Sequence, residues 1–267
     1  MELVCPAYLP ETDKLIEALP LLADQGVTAV EMDLGSPDYF DHRDAVEMTA
    51  ALSILSCCGL RVHSIRAPSG RDCDISSLND SVHERGVDAL IESIEIAGVV
   101  NARTVIVRGS HLVSDLRSKR MDRARGVLRE MAVVARESGR TLALENLPNG
   151  YLGETAEELL MLIGDGAIDS LRACFDSGHA NLTGSFRDTA QALLSASVIA
   201  HLNDNDGTSD QHGFPGTGTV DWRAFASIFS DVSSRADVVL NCLPPAGMAW
   251  SQAFQHLRGV LEQHAPR

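Results

Sequence analysis

Glu145, Asp176, His201 and Asn241 lie near the ends of four short apolar runs, "TLALEN", "LRACFD", "VIAHLND" and "ADVVLNC". Two carboxylates, an imidazole and a carboxamide offer the oxygen and nitrogen donors that hold a hard or borderline divalent cation, so Mn2+, Mg2+, Co2+ or Zn2+ would all suit. Taken singly, each residue is as well explained by a buried hydrogen bond. Four at equivalent places point to a site. Beyond them come His179 in "DSGH" and the Asp210/His212 pair in "DQH", whose i, i+2 spacing aims both side chains the same way from an extended loop. This trio could complete a tetrahedral zinc site with water. The reading favoured for an acidic chain with no thiolate ligand here is that it binds substrate hydroxyls and orders the loop.

Glu31, Arg66 and Arg108 end three earlier strand-like runs, "TAVEMD", "RVHSIRA" and "RTVIVRG". Facing a metal, two guanidinium groups would recognise a carboxylate or phosphate on a substrate, and Glu31 would share that surface. The competing reading pairs each arginine with Glu31 or Glu145. His63 and His111 read as supporting or structural groups. No Ser/His/Asp elbow or reactive-cysteine signature offers a rival chemistry.

Elements must bring these residues together, and the chain alternates strand-like and helix-like segments from end to end. Helical periodicity runs over Thr12 to Gln25, Arg43 to Cys58, Ser81 to Ala97, Leu116 to Glu137 and Glu154 to Ile163, then Phe186 to Ser195, Asp221 to Phe229 and Met248 to Gln263. With "ELVC" as the first strand, eight βα units in 267 residues predict a single-domain α/β chain, residues 1–267, folded as a (β/α)8 TIM barrel. A doubly wound open sheet is the alternative, but no GxGxxG or P-loop follows a strand. In a barrel, function gathers at the C-terminal strand ends, and Glu31, Arg66, Arg108, Glu145, Asp176, His201 and Asn241 all fall there. Period-two alternation pairs Glu145 with Ala143, Asp176 with Cys174 and Asn241 with Val239 on the inward face.

A formal charge of −15 argues against a nucleic-acid partner, since phosphate binding needs a basic surface. Six cysteines without a CxxC pair read as free, mostly buried thiols. No stretch resembles a signal peptide or spans a membrane, so the expectation is a cytoplasmic protein with a small-molecule partner, and self-association into a homo-oligomer stays open.

"LALEN", "FDSGHANLTG", "HLNDNDGTSDQHGFPGTGTVDW" and "GVTAVEMD" resemble the xylose isomerase-like TIM barrel superfamily over essentially the whole chain. That group includes sugar (phosphate) isomerases and epimerases, inosose dehydratases and endonuclease IV-type apurinic endonucleases. The resemblance implies one divalent ion, Mn2+ favoured, held by Glu145, Asp176, His201 and the residue in "VVLNC". Epimerase-like members carry Glu at that last position and exchange protons through an enediolate between two Glu residues; here it is Asn241. Endonuclease-like members bind three zinc ions. His179, Asp210 and His212 match one triad, but Arg66 and Arg108 stand where two further His are expected.

The expected activity is a divalent-metal-dependent isomerase, epimerase or related lyase. Its substrate would be a small hydroxylated carbonyl compound, with a carboxylate or phosphate where the arginines call for one. The metal would stabilise an enediolate, with Glu145 as general base and His179 as its catalytic partner, holding or protonating an oxygen. Two alternatives differ in class: a non-catalytic metabolite-binding relative that has lost the second acid/base at Asn241, and an endonuclease IV-like phosphodiesterase.

Overall fold

The computed structural model describes residues 2–164, 168–231 and 236–264. Strands form over the apolar runs: β1 (Leu3–Pro6), β2 (Ala29–Asp33), β3 (Arg61–Arg66), β4 (Thr104–Arg108), β5 (Thr141–Glu145), β6 (Leu171–Asp176), β7 (Ser197–Leu202) and β8 (Asp237–Leu240). All pair in parallel with their sequence neighbours, and β8 returns to β1, closing the barrel. The fold is the expected (β/α)8 barrel, not the open sheet.

The helices cover the outside: α1 (Leu15–Asp24), α2 (Ala45–Cys58), α3 (Asp80–Val99), α4 (Arg117–Glu137) and α5 (Ala156–Ile163), then α6 (Ser177–Leu182), α7 (Phe186–Leu193), α8 (Trp222–Asp231) and α9 (Trp250–His264). Local chemistry sets several of their starts. Asp44, Asn79 and Thr155 each accept hydrogen bonds from backbone N–H groups in the first turn of α2, α3 and α5. Gly59, at φ 65°, ends α2 in the left-handed conformation that glycine adopts without steric cost.

Two apolar layers result. The larger packs helices against the outer face of the sheet. The smaller fills the barrel with Val4, Ala29, Ile106, Ala143, Cys174, Ile199 and Val239. Side chains two residues apart share a face, so the next ring toward the C-terminal mouth is Pro6, Glu31, Arg108, Glu145, Asp176, His201 and Asn241. In β3 the same step runs from the fully buried Ser64 to Arg66. The pleat therefore turns the seven polar residues inward at the C-terminal mouth, staggered from strand to strand so that Glu145 pairs with Cys174 and His201 with Val239 of the apolar plug.

One element was not expected. The segment between β6 and Phe186 forms α6, because the Asp176 side chain accepts the His179 N–H and starts a turn there. Among the described residues, no helix is long and apolar enough to cross a membrane, and the six cysteines are free.

Candidate active site

Barrel closure brings residues from distant parts of the chain to one centre. His201 is fully buried, with Nδ1 2.7 Å from Glu145 Oε1 and 3.9 Å from Asp176 Oδ2. Its Nε2 lies 3.2 Å from Glu31 Oε2, which also accepts the Ser64 hydroxyl at 2.7 Å. Burial opposes a charged ring. The Cys174 sulfur, Glu31 and Glu145 outweigh it, so His201 titrates well above the usual imidazole range.

Both oxygens of Glu145 are engaged. Oε1 faces His201, and Oε2 accepts the Arg108 Nε–H at 2.9 Å. Burial favours a neutral carboxyl, but Arg108, His201 and Arg66 hold Glu145 well below the carboxylate range. Burial is likewise overcome at Glu31 by His201 and Arg66, and its pKa falls to about 2. Two buried carboxylates in this mouth are thus ionised at neutral pH.

Asp176 is fixed from all sides. Asn146 Oδ1 accepts its N–H at 2.7 Å, Asn146 Nδ2 donates to its C=O, and Asn203 Nδ2 stands 3.2 Å from each carboxylate oxygen. Asn241 Nδ2 donates to Asp176 Oδ2 at 3.3 Å, while Asn241 Oδ1 accepts from Arg66. The two orienting residues missed in the sequence, Asn146 and Asn203, sit immediately after Glu145 and two residues after His201. Their "EN" and "HLN" settings were the available signal. Ser64 was missed because its place beside Glu31 is set by the register of β2 on β3, which shifts between Val30 and Glu31.

His179, Asp210 and His212 do come together. His179 Nε2 is 3.2 Å and His212 Nε2 3.4 Å from the same oxygen, Asp210 Oδ2. The other ring nitrogens face carbonyls, His179 Nδ1 toward Asn146 O and His212 Nδ1 toward Asn241 O. Burial lowers the pKa of His179, yet Asp176 and Asp210 raise it to about 9. Two imidazoles gripping one carboxylate oxygen form an ordered ion-paired chain.

The long connection that carries Asp210 and His212 is built around Asp204, which is fully buried. Its carboxylate accepts the N–H groups of Asn205, Gly216 and Val220 and the Trp222 indole N–H. Gly218 is needed there, since a Cβ would stand 2.3 Å from Asn205 O. Much of the charge in this stretch is therefore architecture. Asp206 makes a turn with Thr208 and Gln211, while His201, Asn203, Asp210 and His212 reach the mouth cluster.

Both arginines are engaged with carboxylates of the mouth. Arg66 Nη2 lies among Asn241, His201, Glu31 and Glu145, and Arg108 binds Glu145 while staying 30% exposed. Pairing with Glu31 and Glu145, the competing sequence reading, describes this arrangement. Of the two further histidines, His63 bonds Asp237 at the start of β8, far from the mouth, and His111 packs on Tyr151. Beside the cluster lies a cavity of about 450 Å3 whose lining includes Glu31, Arg66, His212 and Asn241 on one side and Tyr8, Tyr39 and Phe40 on another.

Residues 19–259 match the xylose isomerase-like TIM barrel family, and the chain belongs to it. It is 30% identical to an L-ribulose 3-epimerase of Mesorhizobium japonicum over 76% of this chain and 67% of that protein. The chain spans about half the length (54%) of another curated relative that it matches. Among solved structures, a D-tagatose 3-epimerase-like protein superimposes with a TM-score of 0.84 at 21% identity, covering 99% of this chain and 98% of the other. The IolI protein with a bound zinc atom gives 0.79 at 16% identity, covering 99% and 98%. At these identities the structural likeness concerns the fold.

The donor chemistry fits a divalent ion. Donor atoms of Glu145, Asp176 and His179 lie within 4.8 Å of one another, as do those of Glu145, Cys174 and His201. His201 also has the support a metal ligand needs. With Nε2 turned to Glu31, its Nδ1 is aimed at Glu145 and Asp176.

Proposed function

We propose that the chain is a metal-assisted sugar isomerase or epimerase, acting on a ketose or a related hydroxylated carbonyl compound. One observation carries this reading: the buried Glu145 carboxylate shares the end of the barrel with Asp176 and with a His201 whose second nitrogen is held by Glu31. The relatives named as 3-epimerases of ketoses support the substrate class. Glu145, Asp176 and His201 would hold the ion, with Asn241 Oδ1 as a neutral fourth donor. When bound, the ion would polarise adjacent carbonyl and hydroxyl oxygens and lower the cost of an enediolate.

The protein's own groups then divide the work. Glu145 is the base for the proton next to the carbonyl, being ionised and buried. His179, protonated at neutral pH, has Nδ1 fixed on the Asn146 carbonyl and Nε2 on Asp210, so a substrate oxygen that takes the place of Asp210 would accept its Nε2–H. Asn241 cannot accept a proton as a carboxylate would, so the opposite face of the substrate lacks a second glutamate. The chemistry best served is one proton removed and returned by Glu145, with a substrate oxygen or His179 supplying the other transfer. The apolar wall of Tyr8, Tyr39 and Phe40 would take the carbon face of a sugar.

The test is a panel of free ketoses and their acidic derivatives incubated with Mn2+ in deuterium oxide and followed by NMR. Deuterium should enter next to the carbonyl with wild type and not with Glu145→Gln. Exchange should outpace net epimerisation, and Asn241→Glu should narrow that gap. No exchange in any compound, from protein shown to bind Mn2+, would favour the non-catalytic binding reading.

A further inference from the structure

Arg66 is an unusual neighbour for a cation site. Its Nη2 stands 3.3 Å from Asn241 Oδ1, 3.4 Å from His201 Nδ1, 3.5 Å from Glu31 Oε1 and 4.0 Å from Glu145 Oε1. Those atoms come from β2, β5, β7 and the residue after β8, and three of the four belong to candidate metal ligands. An ion ligated at about 2.2 Å by Asn241 Oδ1 cannot be more than about 5.5 Å from Nη2. Two cations that close, in a buried site of low polarisability, repel strongly. The guanidinium is itself largely enclosed, with 17% of its side chain exposed, so water screens little of that repulsion.

We propose that Arg66 and a divalent ion are alternative occupants of the same donor cluster. Arg66 would be a built-in cation that holds Glu31, Glu145 and Asn241 in register without the ion, and it must withdraw for the ion to enter. The adjoining cavity, which Arg66 also lines, provides the room. Asn241 suits this exchange. Its carboxamide donates to Asp176 and accepts from Arg66, so it serves both occupants, whereas a carboxylate would add charge favouring the ion. The inference rests on the metal-centre reading above. It adds that the metal is exchangeable and that its affinity is set by a residue that is not a ligand.

Arg108 provides the control. It carries the same charge and lies closer to Glu145, at 2.9 Å, but it binds only the outer oxygen and touches neither His201 nor Asn241. Mn2+ alone would be titrated into metal-free wild type, Arg66→Gln, Arg66→Lys and Arg108→Gln, with calorimetry and EPR of the free ion as readouts. Arg66→Gln should bind Mn2+ about a hundredfold tighter than wild type, and Arg108→Gln about tenfold at most, because only the former removes a competitor from the ion's place. Without metal, Arg66→Gln should melt below wild type, and Mn2+ should raise its melting temperature by more. Arg66→Lys, whose shorter ammonium reaches fewer of these atoms, should fall between and keeps the test open if Arg66→Gln does not fold.

Equal gains in Arg66→Gln and Arg108→Gln would overturn competition in favour of simple charge removal. So would an Arg66 variant whose affinity equals that of wild type. Failure of wild type and both Arg66 variants to bind Mn2+ at all would overturn the metal reading along with it, an outcome distinct from the other two.

Discussion

His201 and Glu145, 56 residues apart in sequence, meet at 2.7 Å with both side chains fully buried. In the metal-free arrangement that contact needs a proton on Nδ1, the nitrogen aimed at Asp176 as well. Binding an ion there must release the proton. Glu145→Ala and His201→Ala should each lose the ion, and elemental analysis after dialysis against micromolar Mn2+ reads this directly. Stoichiometric Mn2+ in both variants would refute the ligand assignment. His179→Gln should keep most of its metal.

Arg108 holds Glu145 in its ionised form through the 2.9 Å hydrogen bond. Removing it in Arg108→Gln takes away a cause of the depressed pKa, so Glu145 should protonate at higher pH. The acid limb of the rate profile should then move up by about one unit, the size of a charge-assisted contact discounted for the arginine's 30% exposure. If Arg108 also binds an acidic substrate, KM should rise about tenfold or more for carboxylate- or phosphate-bearing substrates and stay level for neutral ketoses. An unmoved pH profile and unmoved KM would remove Arg108 from the site.

His179 makes stability fall with rising pH. Its folded pKa is about 9, above the ordinary imidazole value, so the folded state binds the proton more tightly. The contribution is complete below pH ~6.5 and is lost as pH climbs through 9, to a total of about 3 kcal/mol. Urea melts of the metal-free protein at pH 6, 7.5 and 9 should show the decline, and His179→Gln should flatten it. The Asp210 partner reports the same interaction, so the two are not added.

Asp204 should matter more to the loop than to the chemistry. Asp204→Ala leaves three backbone N–H groups and the Trp222 indole N–H without their acceptor. The expected cost is about 4 kcal/mol, read as a fall in the urea midpoint. Asp210 and His212 would lose their anchor, so the stability decline with pH should weaken too. A variant as stable as wild type would show that the loop is held by other means.

The amino-acid sequence by itself determined the barrel and the membership of the mouth. Eight short, nearly continuous apolar runs separated by helical segments need both faces covered, as a closed parallel sheet inside helices provides, and period two carries Ala143 to Glu145 and Cys174 to Asp176. Tertiary structure decided how those residues are used. Arg66 has several rotatable bonds, and its direction was settled by carboxylates that closure sets around it from β2 and β5. Glu31 became the support of His201 across 170 residues of sequence, a contact that no local pattern encodes. The roles of Asn146 and Asn203 depend on Asp176, which folding sets between them. Local periodicity chooses a side chain's face. Which partner it meets there depends on long-range closure and on the summed field of charges from other strands.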